Sequence, residues 1–211
     1  HAPSPNQSTF GGDTSGTGAG RGKRSVSDQQ EIVYVTLADA TGIPDGEFNL
    51  DPGVPLPVDT GPGTEPPESL TWDGIVAGIL RVLGADPDHE HAEYYRALVR
   101  SVRPGVTQEL TEAGIIKAHN GDLDVARDIF AALAGLEPDN ARMQTNLALV
   151  FQQLAARERK HDPDRAEDLE ERAVIQFRKA LEMEDAPPET WLNAGLFFSE
   201  IQSWDSALDY L

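Results

Sequence analysis

The residues best suited to chemistry in this sequence are few, and the densest group is His89-Glu90-His91, flanked by Asp86 and Asp88. Imidazole and carboxylate side chains at close spacing are the donor set of a transition-metal site. Asp86-Pro87, however, carries the N-cap and first-position preferences of a helix start. On a helix, residues two apart diverge by about 200°, so His89 and His91 would not grip one ion as an i, i+4 pair does. An acidic first turn answers the helix dipole without a metal, and neither a metal nor a cofactor is expected. His119 and His161 fall near expected helix ends, where a cationic side chain is welcome.

A second candidate is Gly16-Thr17-Gly18-Ala19-Gly20-Arg21-Gly22-Lys23, which approaches a phosphate-binding loop. It fails on chemistry: Arg24 follows the lysine where a magnesium-binding hydroxyl is needed, Thr17 stands where the leading glycine belongs, and no apolar strand precedes it. A flexible linker is the better reading. Arg21 to Arg24 also resembles a dibasic processing or targeting motif, but four positions in a polar tail read as solvated chain. No serine or cysteine nucleophile motif stands out and the carboxylates are spread along helix faces, so the chain is not expected to be an enzyme.

The elements that would position any site lie in the second two-thirds of the chain. The 15 prolines and 19 glycines among 211 residues are concentrated before residue 70. Residues 1–29 are Ser-, Gly-, Thr- and Pro-rich with almost no apolar residue, a composition expected to be disordered. Residues 30–70 read as an extended, acidic Pro/Gly-rich segment whose one apolar island, Glu31 to Leu37, suits a strand by its β-branched and aromatic residues. Ser27 with Gln30 also allows a short capped helix there, and Pro52 with Pro55 has the spacing of a proline-rich ligand in what reads as a semi-rigid linker. Helical periodicity begins at Thr71, a candidate N-cap for Trp72, Ile75, Val76, Ile79, Leu80 and Leu83. The net charge of −19 and a pI near 4.4 speak against nucleic acid or an anionic membrane as the main partner. No apolar run approaches the ~20 residues that span a bilayer, and the absence of cysteine excludes disulfides and thiolate metal sites. A cytoplasmic location is expected. The chain starts at His1, which suggests processing or excerpting of its N-terminus.

Within residues 71–211 a period emerges. Gly121 to Asn140 opens with a turn dipeptide and the candidate N-cap Asp122, runs through Leu123, Ala126, Ile129, Phe130, Leu133 and Leu136 at helical spacing, and stops at Pro138. Ala126 stands 34 residues after Ala92, and Pro138 stands 34 after Pro104. Ala207 stands 34 after Ala173, while Ala173 is 47 after Ala126, an insertion that predicts about two extra turns on each helix of one hairpin. Such a period marks stacked helical pairs.

These residues resemble the tetratricopeptide repeat. Ala126, Phe130 and Pro138 match the second helix of that repeat, and Gly114 and Leu110 match its first, expected from Thr107 to Asn120; Leu133 replaces a usual alanine and Lys117 and Arg96 a usual aromatic. The resemblance implies an all-α helical-hairpin solenoid over residues 71–211, with repeats at about 73–106, 107–140, 141–187 and 188–211. Arg96 would then face solvent or the tail in a terminal repeat. Apolar Leu208 and Leu211 would lack a following helix, which suggests that the native chain continues.

In this family the first helix of each pair lines a concave groove. The matching positions here are the apolar row Ile115, Leu149 and Leu196, with Glu112, Asn146 and Asn193 beside it. The expected site is therefore a peptide-binding groove of Ile115, Asn146, Leu149, Asn193 and Leu196, in which the asparagine amides bond an extended backbone. One subfamily holds acidic chaperone tails through a five-residue basic clamp. At those positions this chain has Thr111, Ile115, Asn146, Glu189 and Asn193, so the resemblance implies a neutral or basic ligand with apolar anchors instead. The expected function is a non-catalytic scaffold or adaptor binding a protein or peptide, with no nucleic acid and no membrane insertion. The alternative is a regulatory or substrate-recruiting part of a larger enzyme whose catalytic segment lies beyond Leu211. The island Glu31 to Leu37, tethered by a linker, is expected to compete for the groove.

Overall fold

The computed structural model describes residues 32–36, 49–59 and 71–201. The expectations for the tail, for Gly16 to Lys23, for Glu31 and Leu37 at the ends of the island, and for the turn at Gln202-Ser203 with the helix bearing Ala207 lie outside these residues.

The β-branched island is extended, as its composition suggests. Ile32–Val35 (β1) pairs antiparallel with Leu56–Asp59 (β2), setting Val33 opposite Val58 and Tyr34 opposite Pro57. The pairing corrects the expectation that the island rests in the groove: it is held by a second strand from within the proline-rich segment, where Leu56 and Val58 supply apolar side chains. Both are almost wholly buried, together with Leu50, against Ile75, Val76 and Ile79 of the first helix.

That helix, α1 (Trp72–Ala85), is capped by Thr71, whose hydroxyl accepts from the Gly74 N–H at 3.1 Å. It lies between β2 and a later helix, α4 (Leu123–Leu136), and glycines permit both approaches. A Cβ on Gly78 would run into the backbone of Pro57, and one on Gly135 into the carbonyl of Leu83. By contrast α1 meets α2 (Ala92–Val102) only lightly, so the first expected repeat is not a tight hairpin. Residues 86–91 form turns instead of the expected first helical turn.

α2 has a different task. Arg96, expected to face solvent or the tail, is 6% exposed; its Nε donates to the Gly135 carbonyl at 2.8 Å and its terminal nitrogens reach the Pro87 carbonyl and Glu93, each at 2.6 Å. Arg100 donates to the Leu136 carbonyl at 3.1 Å. The physical reason is that α4 carries no basic residue in its last turn, so two guanidinium groups from α2 satisfy its terminal carbonyls and oppose its dipole.

α3 (Val106–His119) and α4 form an antiparallel hairpin through Asn120-Gly121, where Gly121 has φ +84°, a conformation that favours glycine. Gly114 faces Phe130 so closely that a Cβ there would meet the ring, in keeping with a small residue at a crossing. Asp122 does not cap α4 by its side chain; it takes the Lys117 ammonium at 3.0 Å.

α5 (Ala141–Glu158) and α6 (Pro163–Leu181) make the longest hairpin. Asn140 accepts from the Arg142 N–H and Asp162 from the Arg165 N–H, with Pro163 at the first helical position. At 18 and 19 residues, against 14 each for α3 and α4, these helices are longer by just over one turn, not two. α7 (Pro188–Glu200) then packs on both. The molecule is mostly helical, with seven helices and one two-stranded hairpin among the described residues. α4 joins its two cores: Ala132 and Leu136 face the hairpin, α1 and α2, while Ala126, Phe130 and Leu133 face α5, α6 and α7. In the second core Phe177 and Phe197 lie 5.2 Å apart, centre to centre.

Candidate functional site

The five residues expected to line a groove fall on three helices: Ile115 on α3, Asn146 and Leu149 on α5, Asn193 and Leu196 on α7. α5 and α7 are neighbours tied at two levels. Near their starts the Thr145 and Thr190 hydroxyls are 2.9 Å apart; Thr145 gives its single proton to the Ala141 carbonyl at 2.8 Å, so Thr190 donates to Thr145. Near their ends the Gln152 amide donates to Glu200 at 2.8 Å, and Arg159 reaches the same carboxylate at 3.4 Å. Residue numbers rise together along both ties, so the two helices run parallel, with Asn146, Leu149, Asn193 and Leu196 between the ties. Between α3 and α5, Thr111 Oγ1 lies 3.8 Å from Met143 Sδ.

Exposure differs along the row. Ile115 and Leu196 are 54% and 56% exposed, whereas Asn146, Leu149 and Asn193 are half-buried. The apolar ends of the row thus stand open, while its middle is partly covered by the helices that flank it. Of the clamp positions, Thr111 donates to the Thr107 carbonyl at 2.7 Å and is engaged within its own helix. Glu189 is exposed, as is Glu112, which accepts from the Gln108 amide at 3.0 Å.

Leu192, which sequence reasoning passed over, is 55% exposed. It follows Thr145 by the interval that separates Asn146 from Asn193 and Leu149 from Leu196. Thr111 and Thr145 each touch the next helix of their row, and Leu192 holds the matching place on α7. The interval was a sufficient signal.

The histidine cluster is not the divergent pair that a helix would give. In the turn before α2, His89 and His91 have ring centres 5.7 Å apart, and His89 Nδ1 accepts the His91 N–H at 3.1 Å. His89 stacks on Tyr95 at 5.4 Å. Tyr95 is fully buried and donates its hydroxyl to the Pro55 carbonyl at 2.6 Å, and burial pushes its phenol up to about 12, helped by the charges of Tyr34, Glu90 and Tyr94. This cluster ties α2 to the segment entering β2. Among the described residues no group of three or more His, Cys, Asp or Glu side chains is placed to hold a metal ion, and no helix is long and apolar enough to cross a membrane.

Elsewhere several surface charges are paired. Arg157 bridges to Asp124 at 2.9 Å, and this hydrogen bond holds the Asp124 carboxyl below its ordinary value. Arg159 bridges to Glu170 at 2.7 Å. No protein-family model and no curated protein matches this chain.

Proposed function

We propose that this chain is a tetratricopeptide-like repeat protein that works as a non-catalytic interaction module, a scaffold or adaptor. In this reading it binds an extended peptide or protein segment along Ile115, Asn146, Leu149, Asn193 and Leu196. What carries the reading is the pair of open apolar side chains, Ile115 and Leu196, at the two ends of a row whose middle holds the amides of Asn146 and Asn193. An exposed apolar side chain on a well-packed helix is a natural anchor pocket or knob for a partner, and an asparagine amide both donates to and accepts from a peptide backbone. Glu112 and Glu189 on the borders favour a neutral or basic ligand over an acidic one.

The test is selection of displayed random peptides of about twelve residues on the full chain, followed by measurement of each enriched peptide on a variant carrying Ile115→Glu and Leu196→Glu. Both sites are more than half exposed, so the variant should fold. Enriched peptides rich in apolar and basic residues that lose binding to the variant support the groove. Peptides that bind both proteins equally, or no enrichment at all, overturn it.

A further inference from the structure

A separate cleft of about 520 Å³ opens between the C-terminal end of α1, α4 and α6, over a floor supplied by α5. None of the five groove residues borders it. It exists because α4 and α6, although each packs on α5, barely touch one another. The α1/α4 wall is built of small residues, Gly84, Ala85, Ala131 and Ala134, and small side chains leave room that the facing helix does not fill. Leu147 and Phe151 form a buried apolar floor, and Ile175 of α6 and Met183 just after that helix line the opposite wall. The volume falls within the ~300–1,000 Å³ of ordinary small-molecule sites.

One polar group points to the ligand. Gln144 is 4% exposed and lines the cleft. Its Nε2 donates to the carbonyls of Ala134 at 3.3 Å and Pro138 at 3.1 Å, which fixes the orientation of the amide. Its Oε1 accepts from no donor among the described residues, yet no buried side-chain polar atom there lacks a partner, so this oxygen keeps accessible surface, and Gln144 lines the cleft. An acceptor held at the edge of an apolar cleft calls for a ligand N–H or O–H. At the mouth both charge signs are present. Lys179 forms no ion pair with a described residue and Arg172 is held by Asp168 at 3.0 Å, while Asp88 and Glu182 supply the negative side.

We propose that this cleft binds a small zwitterionic aromatic molecule with a ring N–H, the chemistry of tryptophan-type amino acids. The ring lies on Ala134, Leu147 and Phe151, its N–H donates to Gln144 Oε1, the ligand carboxylate meets Lys179, and its ammonium meets Asp88 or Glu182. The site is independent of the groove and stands or falls separately from it.

Titration of the full chain with L-tryptophan, followed by nuclear magnetic resonance of the side-chain methyls, tests this. Saturable shifts are expected at Ile175 and Met183, with none at Ile115 or Leu196. 1-Methyl-tryptophan, which lacks the ring N–H, should bind at least about tenfold more weakly, the size expected for one lost hydrogen bond to a buried acceptor. Ala134→Leu should abolish the shifts by filling the cleft, and Lys179→Ala should weaken binding severalfold. Thermal unfolding of each variant separates lost binding from lost fold. Absence of a saturable shift at millimolar tryptophan, or equal affinity for the N-methylated analogue, would overturn the assignment.

Discussion

The guanidinium of Arg96 on α2 donates to the carbonyl oxygen of Gly135 at the end of α4, 2.8 Å away and shielded from water. Because Gly135 is also where α4 approaches the backbone of α1, this one residue is braced from two sides. Arg96→Met should therefore cost roughly 1–3 kcal/mol, since it leaves a buried carbonyl unpaired. Glu93→Gln, which alters a partner that is largely exposed, should cost within about 0.5 kcal/mol. Chemical denaturation of the two variants gives the comparison, and equal midpoints would show that Arg96 acts only as an exposed ion pair.

Two of the alanines of α4, Ala126 and Ala134, differ in what surrounds them, although both are buried. Ala126 is fully enclosed in the core shared with α5, α6 and α7, while Ala134 is 6% exposed and borders the open cleft. Ala126→Leu should destabilise by roughly 1–3 kcal/mol through overpacking. Ala134→Leu has space to enter and should cost less. Thermal melting of both variants decides it, and a larger loss for Ala134→Leu would contradict the described cleft.

Helix positions were largely legible in the sequence, because periodic apolar residues and turn dipeptides act locally, and Thr71 caps the helix that follows it as expected; of the other expected caps, Asp122 makes no side-chain capping bond and Asp86 precedes turns. What could not be read depends on contacts between distant segments. Nothing local in Arg96 states that a helix end lies beside it, and nothing in Leu56-Pro57-Val58 distinguishes a strand from a linker until Ile32–Val35 is set opposite. The same holds for Ala134, which falls off the apolar stripe of α4 in sequence and is nonetheless buried, because α1 and α5 flank that side. The five residues expected in a groove lie on α3, α5 and α7, while their unequal exposure follows from flanking side chains that the repeat interval does not specify.

Tyr95 gives a pH dependence of stated sign. Its folded phenol titrates at about 12 against an ordinary 10.0, so the folded state keeps the proton to higher pH than the unfolded one does. The resulting stability is fully present below pH 10 and is lost as pH rises from about 10 to about 12. Tyr95→Phe should remove that alkaline slope, and it should lower stability at neutral pH by roughly 0.5–1.5 kcal/mol through loss of the bond to Pro55. Unfolding measured across alkaline pH, with phenolate absorbance to follow ionisation, checks both. One of the four tyrosines should titrate late in the folded protein and with the others after denaturation.

The last expectation concerns the N-terminal hairpin, for which the sequence alone suggested a competitor in the groove. Leu56 and Val58 of β2, with Leu50 before it, are 2%, 1% and 5% exposed and cover Ile75, Val76 and Ile79 on α1. Ile32 and Val35 of β1 pack on the same cluster, and the Pro55 carbonyl receives the Tyr95 hydroxyl. Removing residues 1–65 would expose that face of α1 and strand a buried phenol without its acceptor. At about 1.5–3 kcal/mol for each fully buried aliphatic side chain, the loss should amount to several kcal/mol. The truncated protein should therefore melt well below the full chain, and its methyl spectrum should change at Ile75 and Ile79 while Leu149 and Leu196 stay unmoved. Equal melting temperatures would show that the hairpin adds nothing to the core, and changes confined to Leu149 and Leu196 would return it to the groove.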